Sequence, residues 1–521
     1  MPVALTYPGV YVEELESPVH TITGVATSIT AFVGRTIRGP TDRPVLLQSF
    51  SDFVRVYGGL SVDSTLSYAV QQFYLNGGSQ AVIARVHNAA KLASLTIGGG
   101  TTLSAANEGK WGDGLLVHID DDTREKHDSP PTSDPKRFNL YVKDPGSNTT
   151  EFFRNVSVDP ADPRFVMTVL QQQSQLVRVS TMGASRPSLN AAVPPSADPF
   201  SDPSFYTAFN VAGSDGTAVD ATQISDPSLT GKGGLWLLDQ TDLINILCIP
   251  PFTRDVDVTT PTWEAAAGYA KSRKAILIVD APSAWANTQA VVSGLGAVVT
   301  PTDSAAIYFP RVLMADSLAE NRLQSFAPCG VVAGIYARTD TNRGVWKAPA
   351  GTDASLIGVS ALTVNGFDPA LLSDAENGVV NPLGVNCLRH FPVIGRVVWG
   401  ARTMRGADVF ADQWKYVPVR RLAYFIEQSL YRGTQWVVFE PNDEPLWAQI
   451  RLNVGDFMQS LFRQGAFQGT SPKDAYLVKC DRETTTQTDI DNGIVNILVG
   501  FAPLKPAEFV VLQIQQIRAQ S

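Results

Sequence analysis

Residues 275–280 read Ala275-Ile276-Leu277-Ile278-Val279-Asp280, and residues 244–249 read Ile244-Asn245-Ile246-Leu247-Cys248-Ile249. Each is a short, nearly continuous apolar run that ends at a proline-containing loop, Pro250-Pro251 after one and Pro282 after the other. A strand with one wet face alternates apolar and polar residues. Unbroken runs of this length therefore predict central strands covered on both faces, as in α/β proteins. Between them, Trp263 to Ala270 (WEAAAGYA) predicts a helix, and residues 213–390 read as an α/β middle domain.

The same grammar precedes this domain. In residues 23–95, Ser28–Val33 reads as a buried strand ending at Gly34, and Phe50–Val54 opens a short helix stopped by Gly58-Gly59. Leu66, Ala69, Val70 and Phe73 recur at helical spacing before Asn76-Gly77-Gly78, and Ala81–Val86 returns as a strand. Residues 96–212 change character: Gly98-Gly99-Gly100 opens a stretch rich in Pro, Asp, Ser and Asn, with short strands expected at Leu115–Ile119, Phe138–Val142 and Leu176–Val179. Long polar loops such as that around Pro130-Pro131 mark this as a β-rich inserted outer domain.

Residues 391–505 hold two strong helical patterns. One runs from Pro418 to Tyr431 with Leu422, Phe425, Ile426, Ser429 and Leu430 on one face; the other starts at Glu444-Pro445, capped by Asn442 or Asp443, and carries Leu446, Ile450, Val454, Phe457 and Leu461. Strands are expected at Ala475–Lys479 and Ile494–Phe501. The two ends look different from a domain core. Residues 1–22 contain an isolated strand-like segment, Val10, Tyr11, Val12 and Glu13, between Pro8-Gly9 and Pro18; residues 506–521 contain another, including Phe509, Val510, Val511 and Leu512. Such segments are either edge strands of their own domain or arms that pair elsewhere.

The 521 residues are too many for one core, and 44% hydrophobic with 17% charged residues is a globular composition whose low charge suggests surface buried in partners. A formal net charge of -9 argues against bulk nucleic-acid binding. The four cysteines, Cys248, Cys329, Cys387 and Cys480, form no CxxC pair. No secretory signal pattern is visible at the N-terminus, and no stretch is long and apolar enough for a membrane-spanning helix.

Catalytic signals are weak throughout. Gly231-Lys232-Gly233-Gly234 lacks phosphate-loop spacing and reads as a turn, and no HExxH or GxSxG is present. His118, Asp120, His127 and Asp128 could be imagined as metal ligands, but their acidic, loop-rich setting reads as solvated surface. Asp280, at a strand end, could belong to a hydrolase triad but lacks a matching His and Ser, so a cap or turn role is favoured. The most informative charges are Lys415, Arg420, Arg421 and Arg432. Arg420 and Arg421 occupy the first turn of a helix, where the macrodipole disfavours cations by a few tenths of a kcal/mol each, so they are either solvated or used on a partner.

Several segments carry a family resemblance. TYPGVYVEE (6–14), TSITAFVGRTIRGP (27–40), AANEGKWGDGLLVHI (105–119), the long block VWGARTMRGADVFADQWKYVPVRRLAYFIEQSLYRGTQWVVFEPNDEPLWAQIR (398–451) and FAPLKPAEFVVLQIQQ (501–516) resemble the tail sheath proteins of contractile phages and related injection particles. The resemblance weakens over residues 120–212. It implies an α/β C-terminal domain whose terminal strands are exchanged between subunits and a subtilisin-like α/β middle domain without a catalytic triad. It further implies subunits stacked as hexameric rings around an inner tube, with Lys415, Arg420, Arg421 and Arg432 facing the tube and Val10–Glu13 and Phe509–Leu512 adding strands to neighbours. Expected partners are other sheath subunits, the tube protein, and baseplate and terminator proteins, with no nucleic acid, no membrane insertion, no cofactor and no enzymatic activity. Assembly in the bacterial cytoplasm, as part of a virion or a released or membrane-attached injection particle, completes the expectation. The competing readings are a static baseplate or capsid component and a subtilisin-like hydrolase.

Overall fold

In the computed structural model, which describes residues 20–127, 134–194, 196–364 and 372–513, the two apolar runs lie side by side in an eight-stranded sheet. Its strands are β1 (Thr30–Gly34), β2 (Val45–Leu47), β3 (Ala81–Arg85), β4 (Ile246–Cys248), β5 (Ile276–Asp280), β6 (Ala305–Phe309), β7 (Val385–Phe391) and β8 (Gly395–Val398). The spatial order is β8-β7-β6-β5-β4-β1-β3-β2. The six strands from β7 to β3 are mutually parallel, while β2 and β8 close the edges antiparallel. Every residue of β1, β3, β5 and β6 is buried, which is why these strands lack alternation. The helix Thr260–Ser272 crosses from β4 to β5 with Pro261 in its first turn and buries Trp263, Ala266, Ala267 and Ala270.

Segments 23–95 and 213–390 thus build one sheet, because β1 pairs with β3 on one side and with β4 on the other, Thr30 opposite Ile246. The chain divides into two compact units. The larger spans 28–341 and 349–415; the smaller contains, among described residues, 20–27, 342–348 and 416–513. The boundary falls at 415 rather than at 391 because the Phe391–Gly395 turn returns β8 onto β7, and the chain remains with the sheet domain until Lys415.

The 96–212 insertion is β-rich. One sheet orders the strands 207–208, 116–120, 137–144 and 149–157; another orders 94–96, 102–105 and 177–181. They enclose a core of their own, including Leu103, Val117, Leu140, Val156 and Leu170. The strand Thr149–Ser157 and the helix Val166–Gln173 escape a sequence reading; in the first, apolar Phe152 is exposed beside Thr149, Thr150 and Arg154, so no clean apolar/polar alternation marks it.

In the smaller unit the helix Glu444–Arg463 buries its predicted face, and the helix Val417–Gly433 buries Leu422, Ile426 and Ser429 of its face while Phe425 and Leu430 are half-buried. Asp443 is the cap, its side chain accepting from the Leu446 N–H at 3.3 Å. Residues 20–27 join this unit: His20 stacks on Trp436 at 4.2 Å, Ile22 enters the core, and the Val25 N–H donates to Ser429 Oγ. At Gly24 a Cβ would lie 2.8 Å from the Phe425 ring, so only glycine lets the strap lie this close to the helix. The strands Tyr476–Lys479 and Leu498–Phe501 pair antiparallel, the second starting later than its expected span.

Candidate functional site

The feature of the smaller unit that its own folding leaves unused is its C-terminal tail. The chain is tied down as far as residue 503, through Ala502 N–H to Ala475 O at 2.8 Å, Gln468 N–H to Ala502 O at 2.8 Å and a bridge between Phe467 and Pro503. Tyr416 Oη donates to Glu508 Oε2 at 3.1 Å. Immediately beyond, Phe509, Val510, Val511 and Leu512 are 75–82% exposed and lie in no strand. Among the described residues the strand expected there does not form. Its apolar, β-favouring residues are present, but no described strand of this chain pairs with them. The matching N-terminal segment, Val10 to Glu13, lies outside the described residues.

The four cations divide. Arg420 is buried, with its guanidinium 4.0 Å above the Tyr424 ring and Nη1 3.8 Å from Glu427. Arg421 is buried as well, donating to Thr27 O at 2.9 Å. These internal partners offset the unfavourable helix-dipole position and remove the reason for which an external partner was inferred. A charge reversal at both positions would therefore disturb the unit itself. Arg432 sits in the last turn of the same helix, where the dipole favours it. Lys415 belongs to the larger unit; its Nζ lies 2.7 Å from Asp408 Oδ1, and Arg402 Nη1 reaches the same oxygen at 3.0 Å. The Lys415 hydrogen bond is the main cause that holds the Asp408 carboxyl below its ordinary range.

A second exposed apolar group escapes sequence reading. Tyr431, Val438 and Phe439 are 61% exposed or more, and Phe439 has φ +73, a backbone that a bulky L-residue adopts only against strain. In sequence Tyr431 ends a helical pattern, while Val438 and Phe439 belong to an apolar run, Trp436 to Phe439; only Pro441, two residues on, hints at the sharp turn.

The residues weighed as metal ligands separate, and His118 departs from the solvated surface expected of it. His118 is buried, its Nδ1 2.5 Å from Phe205 O and its Nε2 3.6 Å from Asp120. His127 pairs with Asp122 at 2.8 Å, and Asp128 lies outside the described residues. Among the described residues no group of three His, Cys, Asp or Glu side chains could hold a metal ion, and no helix is long and apolar enough to cross a membrane. Asp280 is buried at the end of β5, where it accepts from the Cys329 N–H at 2.9 Å, the cap role favoured from sequence.

Residues 411–517 match the phage tail sheath C-terminal domain family. No curated protein matches the chain. Among solved structures, the contracted sheath of the extracellular contractile injection system PVC aligns over 99% of each chain with TM-score 0.58 and 22% identity. The contracted helical sheath of the anti-feeding prophage aligns over 98% of this chain and 100% of the other, at TM-score 0.56 and 22% identity. The sheath tail protein of Listeria innocua aligns over 93% and 96%, at TM-score 0.58 and 11% identity. The mixed α/β, multidomain fold is thus that of structural sheath proteins along nearly its whole length. Its C-terminal part, residues 411–517, is in addition similar to the phage tail sheath C-terminal domain family.

Proposed function

We propose that the chain is a sheath subunit that stacks as hexameric rings around an inner tube and contracts to drive that tube through a target envelope. The carrying observation is the tail: four consecutive apolar residues held 75–82% exposed directly after a pinned anchor. Leaving such residues in water forfeits about 1.5–3 kcal/mol per side chain, a cost that strand addition to a neighbouring subunit would recover. The two-stranded sheet 476–479/498–501 is a fitting acceptor, since two strands are marginal alone. Val10–Glu13 would serve as the second arm. Lys415 and Arg432 are the better candidates for tube contact, being less buried than Arg420 and Arg421.

Contraction in this reading needs no nucleotide. Subunits linked by their arms are held extended by tube and baseplate, and release free energy as more interface forms. The α/β domain serves as scaffold; its subtilisin-like character rests on the parallel sheet with an acid at the end of β5. Baseplate and terminator proteins are the further partners, and the anti-feeding prophage baseplate structures contain a chain of this fold. Negative-stain microscopy of the purified protein tests the reading: tubes with a helical lattice are expected. Monomers or closed shells over a wide concentration range would instead indicate a static baseplate or capsid component.

A further inference from the structure

The carboxyl of Asp280 is 4% exposed. It stands where the C-terminal end of β5 meets the N-terminus of the helix Cys329–Arg343, and its Oδ1 accepts from the Cys329 N–H. Its Oδ2 has no hydrogen-bond partner. An ionised carboxylate in such a place needs two or three donors or a dedicated cation. The nearest cation is Arg311, and it is committed elsewhere: it pairs with Asp257 and donates through Nε to Ala281 O at 3.3 Å. The remaining titratable neighbours are the Cys329 thiol and, from β4, Cys248, whose Sγ lies 3.8 Å from Cys329 O. Pro251, Val258 and Trp263 complete a recess with room for about one water. One backbone donor, a weak thiol donor from Cys329, a committed arginine and a largely apolar wall favour the protonated acid.

We propose that Asp280 is a proton-operated latch on the joint between β5 and the 329–343 helix. Protonated, the acid closes the joint; ionised, it has to be hydrated, and the joint opens locally to expose Cys329 and Cys248. Burial, the largest influence, raises the carboxyl to about 7, with Cys329 and Arg311 acting in the opposite direction and Asp257 reinforcing the rise. The sign follows from linkage. An opened, hydrated carboxyl has an ordinary value near 3.9. Opening therefore releases a proton between that value and about 7. It should grow about tenfold per pH unit across the window and level off above it.

The buried cysteines report on this within one molecule. Cys387 lies in β7 of the same sheet, away from the joint, and monitors global unfolding. The full chain is treated with 4,4′-dithiodipyridine, which reacts with thiols at acidic pH, and labelling is read per cysteine by mass spectrometry. The Cys329-to-Cys387 labelling ratio should rise at least about tenfold from pH 5 to pH 7 in the wild type. It should stay flat in Asp280→Asn, whose amide oxygen can still accept from the Cys329 N–H. A flat ratio in the wild type, or an undiminished rise in Asp280→Asn, overturns the latch. Should that variant not fold, hydrogen exchange of the wild type decides alone. After correction for intrinsic rates, protection in the first turns of the 329–343 helix should fall over the same window while β1 and β6 keep theirs. Protection independent of pH refutes the proposal.

Discussion

Two apolar runs in this chain look alike in sequence and meet opposite fates. Ile276–Asp280 is buried at all five positions and paired with β4 and β6 on either side. Phe509–Leu512, equally apolar and rich in β-branched residues, stands 75–82% exposed and pairs with nothing described in the chain. A pattern of apolar residues states what a backbone will accept; it does not state where the partner is. When the fold satisfies one run and leaves the other exposed, the difference marks where the proposed contact with a neighbouring subunit would form.

The sharpest way to break this comparison is to charge the exposed run. Val510→Asp with Leu512→Asp should abolish lattice growth, seen by electron microscopy and sedimentation, while the melting temperature of the subunit stays within a degree or so of wild type. Normal tubes from this variant would make the tail a bystander. The reciprocal change is Ile278→Ala. Removing a fully buried side chain there should cost about 2–5 kcal/mol in urea unfolding, whereas Val511→Ala should stay within about 0.5 kcal/mol in the isolated subunit.

The next largest effect concerns Arg421. Its guanidinium is buried and holds Thr27 O, so Arg421→Glu places an uncompensated charge inside the smaller unit. A loss of about 2–4 kcal/mol is expected, read as lowered urea resistance. This burial marks the limit of what sequence can tell. The helix 417–433, its apolar face and the cap at Asp443 follow from 3.6-residue spacing and cap chemistry. Which partner Arg421 meets depends on residues 20–27, nearly 400 positions away in sequence, returning to lie on that helix. The same non-local pairing explains why 23–95 and 213–390 read as separate segments although β1 stands between β3 and β4. The exposed Phe439 was illegible for the opposite reason: an apolar run predicts burial, and only the positive φ turns it outward.

Asp280 links stability to pH. A carboxyl raised to about 7 in the fold binds its proton more tightly there than in the unfolded chain. The fold is thus favoured below the ordinary carboxylate range, loses stability as pH rises toward about 7, and changes no further from this source above it. Asp280→Asn should gain up to a few kcal/mol at pH 8, little at pH 4, and flatten the profile of urea midpoint against pH. An unchanged slope would mean that Asp280 is already ionised in the fold.

The smallest expected effect is the most discriminating for the tube. Arg420 and Arg421 cannot be tested for an external contact by charge reversal, because the reversal also injures the subunit. Lys415 can. Its side chain is 25% exposed and its partner Asp408 52% exposed, so the pair contributes at most about 1 kcal/mol. Arg402 remains to hold Asp408 when the lysine is removed. Lys415→Gln should therefore leave urea unfolding within about 1 kcal/mol of wild type. Against that quiet background, any change in the fraction of extended, tube-containing particles reports a contact outside the chain. If Lys415 faces the tube, that fraction should fall as salt rises in the wild type and be lower and less salt-sensitive in the variant, since an exposed charge contact is screened within about 10 Å at 0.1 M salt. Identical fractions and identical salt dependence would confine Lys415 to its ion pair with Asp408.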